Sequence, residues 1–270
     1  MSALARWPAA LWILLLVCLW ALLGPWLSHW APQTLDWSHL AAPPQVGQGH
    51  WFGTDRLGRD LYVRTLTGTR VSLGIALVAG VLSVAFGTAY GVLAGFCGGR
   101  MDAWMMRLVD VVYALPYVFF VILLTVVAGR SAVMLFIAMA AIGWLTVAQI
   151  VRAETRRLCQ QPFIEAARVL GLPAHTLLGR HVLPNVIAPV LVYATLLIPQ
   201  LILLESFLSF LGLGIQEPAA SLGNLLSQGA QEMEYAPWML LIPSAMLVTI
   251  VLVLTALGEW CRTRWSLYGE

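Results

Sequence analysis

The stretch VSLGIALVAGVLSVAFGTAYGVLAGFCGG, residues Val71–Gly99, decides the fold because it contains no Asp, Glu, Lys or Arg. A helix needs about 20 apolar residues to cross a bilayer core of about 30 Å, and this run exceeds that length. Further charge-free runs are Ala9–Leu27, Val111–Gly129, Ala132–Val151, Val186–Leu204 (continuing past Glu205 to about Phe210) and Ala236–Gly258. The sequence therefore predicts an all-α, polytopic membrane protein with about six transmembrane helices.

The composition excludes several other classes of protein. Of the 270 residues, 60% are hydrophobic and 10% are charged, whereas soluble domains are about 25% charged. The mean hydropathy of +0.83 excludes a disordered chain, because disorder requires low hydrophobicity. The formal net charge is +2, which is too small for a nucleic-acid binder. Lipid, and no nucleic acid, is therefore expected around this chain.

The arginines predict how the chain lies in the membrane. Six spans place both termini on the same side. With that side taken as the cytoplasm, the inner arginines are Arg6, Arg100, Arg107, Arg152, Arg156, Arg157, Arg168, Arg180, Arg262 and Arg264. The outer arginines are Arg56, Arg59, Arg64, Arg70 and Arg130. Because cytoplasmic loops carry the excess of positive charge, both termini are predicted to be cytoplasmic.

The span at Val71–Gly99 carries a ridge of small residues at Gly87, Gly91 and Gly95. Glycine at every fourth position lets a second helix approach closely. The sequence leaves open whether that helix belongs to this chain or to a second subunit. Prolines interrupt several spans and are expected to kink them: Pro116, Pro189, Pro199 and Pro243.

The longest predicted cytoplasmic segment, Arg152–Asn185, contains a short amphipathic helix. Pro162 suits a first helical turn, and Gly171 suits a helix end. One apolar face is formed by Phe163, Ala166, Ala167 and Leu170. Pro173 is expected to start a second short helix and Pro184 to stop it. The segment is either a basic loop on anionic lipid or a helix that docks in a groove of a soluble partner.

On the opposite side, Gly53–Asp60 is charged but self-neutral. Asp55 with Arg59, and Arg56 with Asp60, are pairs of opposite charge at i,i+4. Such pairs stabilise helical turns modestly. The interpretation is a salt-bridged surface turn that orients the next span, or a docking or gating element on the outer face.

Two acidic residues lie at or within the spans, where charge is costly and often functional. Asp110 is expected to pair locally with Arg107. Glu205 has no nearby base, so it either bonds another helix or serves as a proton or ion site. No HExxH, GxSxG or Walker motif is present, and these are the signatures of common catalytic and phosphate sites. The sequence predicts no enzyme and no metal site.

Several motifs together resemble a known family. Glu165-Ala166-Ala167, followed by Gly171 and Leu183-Pro184, is similar to the EAA loop of bacterial ABC importer permeases. Gly53–Asp60 resembles the GTDxxGRD signature of their dipeptide, oligopeptide and nickel branch, in the MetI-like DppC/OppC/NikC-type subunit. Ser209–Gly214, preceded by Glu205, and Ala236-Pro237-Trp238 are also similar to that branch.

The resemblance implies a type I ABC importer permease fold in the bacterial inner membrane. Residues 1–70 would hold the first span and an outer segment, and residues 71–270 the permease core with five spans and a coupling loop near 152–185. The ATPase-coupling residues would be Phe163, Glu165, Ala166, Ala167, Arg168, Leu170, Gly171, Leu183 and Pro184. The outer-face signature would be Gly53, Thr54, Asp55, Gly58, Arg59 and Asp60.

The resemblance also implies partners. They are a homologous permease subunit, two cytoplasmic ATPase subunits that carry ATP and Mg²⁺, and an extracytoplasmic substrate-binding protein. This chain itself would hold no cofactor and no catalytic site. The cargo stays open between dipeptides, longer peptides, nickel and metal–chelator complexes. The alternative hypothesis is a stand-alone secondary transporter or channel that uses Glu205.

Overall fold

The computed structural model describes residues 9–45, 47, 49–129 and 131–266. Arg6, Arg130 and the tail beyond Ser266 lie outside the described residues. The α-helices are α1 Ala9–Leu27, α2 Leu61–Cys97, α3 Gly99–Tyr113, α4 Tyr117–Ala128, α5 Ala132–Cys159, α6 Pro162–Val169, α7 Ala174–Thr176, α8 Leu183–Phe210, α9 Leu222–Gln231 and α10 Trp238–Ser266. A π-helical turn, Leu177–Val182, joins α7 to α8. The prediction of an all-α chain is confirmed.

Five helices are long and apolar enough to cross a membrane, and a sixth crossing is made if the bent pair α3–α4 counts as one span. The prediction of about six spans is thus confirmed, and the kink expected at Pro116 is present, but it divides the span expected over Val111–Gly129 between two helices. Its chain bends by 78° between α3 and α4. Pro116 lies at this break, and it disfavours helical geometry at Leu115. By contrast, α8 and α10 continue through their prolines.

Helix α2 begins at Leu61, well before the charge-free run. Asp60 caps it, because its Oδ1 accepts the amide of Val63 at 2.9 Å. The side chains of its two arginines, Arg64 and Arg70, are held by contacts within the chain. Arg64 is fully buried, and Arg70 donates to backbone carbonyls near the end of α1. Helix α2 therefore packs inside the molecule although it contains two arginines.

The glycine ridge of α2 packs against α5 of the same chain, which answers the question that the sequence left open. A Cβ placed on Gly87, Gly91 or Gly95 would lie 2.5–2.8 Å from backbone oxygens of α5. Such spacing requires the two backbones to touch with no side chain between them. Asp102 of α3 accepts both Nε and Nη2 of Arg152 on α5, which fixes α3 beside the same pair.

Helix α6 begins with Pro162 in its first turn and ends at Val169. Gly171 takes φ +79°, and the amide of Leu172 donates to the carbonyl of Ala167 at 3.2 Å. Together with the bond from Gly171 to Arg168, this is a Schellman end. Pro162 and Gly171 thus bound the helix as the sequence predicted.

The prediction that Pro184 stops a helix is wrong. Pro184 lies in the first turn of α8, which continues directly from the π-helical turn. In a regular α-helix the proline ring meets the carbonyl four residues earlier. Here the preceding turn is wider, since the Leu183 amide bonds the carbonyl of Leu178, five residues back. The chain therefore accommodates Pro184 without breaking the helix.

Candidate functional site

The segment that joins α1 to α2, residues 28–60, folds back on itself through two glycines. Gly53 has φ +78° and Gly58 has φ +75°, values that glycine adopts at no steric cost. A Cβ on Gly53 would lie 2.5 Å from the carbonyl oxygen of Ala42, and one on Gly58 would lie 2.0 Å from that of Asp36. Both glycines are therefore needed for close backbone contact within this segment.

The predicted pair of Asp55 with Arg59 forms, but it is buried rather than on the surface. Asp55 Oδ2 accepts Arg59 Nε at 2.6 Å and lies 3.4 Å from Nε of the buried Arg64. Arg59 also donates both terminal nitrogens to Glu217 at 3.3 Å. Burial lowers the pKa of Arg59, but Glu217 and Asp55 outweigh that effect, so the net shift is upward. The pair therefore ties this segment to the loop after α8.

The predicted pair of Arg56 with Asp60 is wrong. Arg56 is exposed, while Asp60 is buried and its Oδ2 lies 2.9 Å from Nδ1 of His50. The spacing argument assumed a helical turn. Residues 54–60 instead form a tight loop closed by an antiparallel bridge between Thr54 and Asp60, which turns Asp60 toward the interior.

A cluster of Asp36, His39 and His50 lies in the same segment, and one donor atom from each falls within 4.8 Å of the others. Oδ2 of Asp36 lies 2.8 Å from His39 Nδ1 and 3.4 Å from His50 Nε2. Hydrogen bonds, first from His39 and then from Ser38, hold the pKa of Asp36 well below its usual range. The sequence did not reveal this cluster, because separate turns bring its members together. The Asp-x-x-His spacing at residues 36–39 was the available signal.

Two of the motifs that carried the resemblance, Gly53–Asp60 and Ala236-Pro237-Trp238, meet at this end of the molecule. The indole Nε1 of Trp238, at the start of α10, donates to the carbonyl oxygen of Thr54 at 3.5 Å. Helix α9 is capped by Ser221 and Asn224, which exchange side-chain and backbone hydrogen bonds, and the amide of Leu222 donates to Ser72 of α2 at 3.1 Å. The outer signature, α9 and the start of α10 therefore form one packed end.

Glu205 is fully buried in α8. Its carboxylate accepts the hydroxyl of Ser209 at 2.7 Å and that of Ser206 at 3.4 Å. These partners lie on its own helix, not on another helix as one interpretation expected. Asp110 is exposed on α3, and within the described part of the chain it forms no ion pair with Arg107.

A cavity of about 420 Å³ lies where α3 and α4 bend, between α5 and α8. Its lining is mostly apolar, with Tyr113, Tyr117, Thr146 and Gln200 as polar members and no charged residue. The hydroxyl of Tyr117 is buried and has no hydrogen-bond partner among the described residues. Glu205 and Asp110 are not part of the lining, so this cavity presents a neutral surface.

Helix α6 lies at the other end of the molecule and divides its apolar residues between two faces. Ile164 and Ala167 are buried against the chain, whereas Phe163, Val169 and Leu170 are exposed, Leu170 to 79%. The sequence predicted that Ala167 shares one apolar face with Phe163 and Leu170. This prediction is wrong, because Ala167 is buried whereas the other two are exposed. The reason is that Ile164 and Ala167 lie one turn apart and pack on the helices behind α6.

Two other coupling-loop residues are placed by the same packing. Arg168 Cζ lies 5.9 Å from the ring centre of Phe96, near the end of α2. Glu165 is exposed beside it. The loop that matched the EAA pattern thus presents Phe163, Glu165 and Leu170 outward, while Arg168 also anchors the helix to α2.

The fold defines a polytopic membrane protein of the ABC-permease type. A structure of the MetNI methionine ABC transporter in an inward-facing conformation matches it with a TM-score of 0.61, at 18% identity, over 75% of this chain and 95% of that chain. Residues 87–266 match the family described as "Binding-protein-dependent transport system inner membrane component". This chain belongs to that family, which confirms the resemblance seen in the sequence motifs.

The curated relatives match nearly the whole chain. The oligopeptide transport system permease protein OppC of Haemophilus influenzae is 43% identical over 94% of this chain and 82% of its own length. OppC of Escherichia coli K12 is 45% identical over 94% and 84%. The dipeptide transport system permease protein DppC of Bacillus subtilis is 36% identical over 90% and 76%. The chain is therefore similar to permease subunits along most of its length.

Proposed function

We propose that this chain is the permease subunit of an ABC importer for oligopeptides. The observation that carries the proposal is the identity of 43–45% to two OppC permeases over 94% of the chain. The cavity beside α4 supports it, because a neutral lining with a few hydrogen-bonding groups accepts peptides whose side chains vary in charge. The exposed side chain of Gln200 would bond a peptide backbone there.

The cavity would be this chain's share of the translocation pathway, and a homologous permease subunit would supply the other share. The 78° bend between α3 and α4 widens the space beside α5 and α8. A change of that bend would open or close the cavity without breaking the packed pair α2–α5. During transport α3 and α4 would therefore move, whereas the pair α2–α5 would stay fixed.

Helix α6 would seat in a groove of a cytoplasmic ATPase subunit. Its exposed Phe163, Val169 and Leu170 form the apolar tip that such a groove receives. Its buried Ile164 belongs to the same core cluster as residues of α2, α5 and α8, and Arg168 contacts Phe96 of α2. Movement of α6 would therefore be passed to the spans as a rigid-body shift.

The remaining partners follow from the same assembly. Two ATPase subunits would bind and hydrolyse ATP with Mg²⁺, and a substrate-binding protein would deliver peptides at the end formed by α9 and the outer signature. This chain would supply no catalytic residue. The arginine distribution supports a cytoplasmic position for α6 and both termini, because positive charge is retained on that side.

The test is ATP-dependent uptake of a labelled oligopeptide by the assembled importer in proteoliposomes. Replacing Phe163 and Leu170 by Ala should release the ATPase subunits during purification and abolish uptake. Leu16→Ala is the matched control, because Leu16 is an apolar residue of α1 that is 65% exposed and belongs neither to α6 nor to the end formed by α9 and the outer signature. We expect this variant to retain both the ATPase subunits and uptake.

Two results would contradict the proposal. Normal uptake by a Glu165→Lys, Gly171→Asp double variant would remove α6 as the coupling helix. Transport that proceeds without ATPase subunits, and that Glu205→Gln abolishes, would favour the stand-alone transporter instead. The cargo is tested in the same assay. Inhibition of labelled-peptide uptake by unlabelled peptide, but not by nickel, would indicate a peptide cargo.

A further inference from the structure

We infer that Asp36, His39 and His50 form a binding site for a resident divalent transition-metal ion of the zinc type, with Asp60 as the residue that orients His50. The site lies in the segment between α1 and α2. It is separate from the cavity beside α4, and it is independent of which cargo the importer carries.

The donor atoms converge on one point. Asp36 Oδ2 lies 2.8 Å from His39 Nδ1 and 3.4 Å from His50 Nε2, and all three donors fall within 4.8 Å of one another. Ligands about 2.0–2.1 Å from a tetrahedral ion lie a little over 3 Å apart. Binding of the ion would therefore require His39 Nδ1 to move away from Asp36 Oδ2 by about half an ångström.

The partner of His50 on its other side is the one that metal-bound histidines commonly have. His50 Nδ1 lies 2.9 Å from Oδ2 of Asp60. When this Nδ1–H donates to the carboxylate and the ring is neutral, Nε2 carries the lone pair toward Asp36. A carboxylate behind the imidazole fixes the tautomer and raises the basicity of the ligand. His50 and Asp60 are both buried, which keeps this orientation.

The same arrangement leaves charge to be balanced. The carboxylates of Asp36 and Asp60 lie at the two nitrogens of the His50 ring. Negative charge beside the buried His50 and Asp60 is costly unless it is compensated. A divalent cation between Asp36 and the two imidazoles compensates it. A second proton on His50 is the competing solution, and the experiment below separates the two.

Other contacts within the segment position the residues of this cluster. Gly58 permits the close approach of Asp36, and Thr54 Oγ1 donates to the carbonyl oxygen of His39 at 2.5 Å. Trp30 stacks on His50 with ring centres 4.5 Å apart. The three donor residues are therefore held by contacts that do not involve their ligand atoms.

The chemistry of the donors selects the class of ion. Two imidazoles and one carboxylate suit Zn²⁺, Co²⁺ or Ni²⁺ better than Mg²⁺ or Ca²⁺, which prefer oxygen ligands. Three protein ligands leave one position for water. The side chain of His39 is 29% exposed and that of Asp36 14%, so an ion reaches the site from solution.

The experiment titrates the purified full-length chain, in its assembled complex and after chelator treatment, with Co²⁺ and then Zn²⁺. We expect one equivalent of Co²⁺ to give the absorption of a tetrahedral nitrogen–oxygen site, and Zn²⁺ to displace it. His39→Ala should abolish this signal. His29→Ala is the control, because His29 is exposed in the same segment and should leave it unchanged.

Asp60→Asn tests the orienting role. Asn retains the helix cap, but its amide would face His50 Nδ1 and place the proton on Nε2. We expect metal affinity to fall about 10–100-fold, with the metal-free thermal stability of the complex near that of the wild type. Absence of stoichiometric Co²⁺ binding would show that a proton balances the cluster and would overturn the inference. Equal affinity in wild type and Asp60→Asn would also overturn it.

Discussion

Replacing Gly91 by Ala tests whether the contact of α2 with α5 holds the fold of this chain. The added Cβ would lie 2.5 Å from the carbonyl oxygen of Ala148 and 2.8 Å from Val151 Cβ. Ordinary contacts of a Cβ begin at 3.4 Å. The Ala148 oxygen and the Arg152 amide nitrogen at 3.0 Å are backbone atoms, which cannot rotate away, so the helices must separate.

Gly74→Ala on the same helix provides the reference. A Cβ at Gly74 meets no atom within 4 Å. Alanine is favoured over glycine within a helix by about 0.5–1 kcal/mol, and this gain is common to both variants. The difference between the variants is then the cost of overpacking, about 1–3 kcal/mol, with Gly91→Ala the less stable.

The assay is unfolding of the purified chain in mixed micelles of dodecyl maltoside and increasing SDS, followed by far-ultraviolet circular dichroism. We expect Gly74→Ala to unfold at slightly more SDS than the wild type, and Gly91→Ala at clearly less. Equal midpoints for the two variants would refute the argument that α2 and α5 touch at Gly91. If stability were equal but the homologous permease subunit no longer co-purified, the ridge would instead face that subunit.

Two further variants test other parts of the molecule. Glu205→Gln should leave ATP-driven uptake close to wild type, because Ser209 can donate its hydrogen bond to the amide oxygen as it does to the carboxylate; a complete loss of uptake in proteoliposomes would contradict this. Gly58→Ala should destabilise the α1–α2 segment by about 1–2 kcal/mol from the left-handed backbone alone, with further cost from the clash on Asp36. Limited proteolysis should cleave the α1–α2 segment faster in the Gly58→Ala variant than in Gly47→Ala, whose Cβ meets open space. Equal cleavage rates in the two variants would disprove the role of Gly58.

The features that could be predicted from the sequence are those fixed by local chemistry. Charge-free runs predicted the spans because an unpaired charge or backbone group is costly in lipid wherever the helix packs. Pro162 and Gly171 bounded α6 for a similar reason, since a missing N–H and a freely adopted positive φ act on the backbone of their own turn. The family resemblance rests on motifs of this local kind.

Only the tertiary structure decided which surfaces meet. The partner of the Gly91 ridge proved to be α5, and Asp60 turned to His50 instead of Arg56, because the chain there forms a closed loop rather than a helix. Pro184 was wrongly expected to end a helix, since the π turn that accommodates it depends on the register of the preceding residues.

The same distinction applies to the candidate sites. The exposed tip of α6 was visible in the sequence as an amphipathic pattern, but its division into a buried and an outward face required the helices behind it. The cluster of Asp36, His39 and His50 joins separate turns through hydrogen bonds and the close approach at Gly58. The hydrophobic periodicity of a sequence describes the residues along one helix or strand, and it gives no information on the distance between two elements. Such contacts are decided by packing.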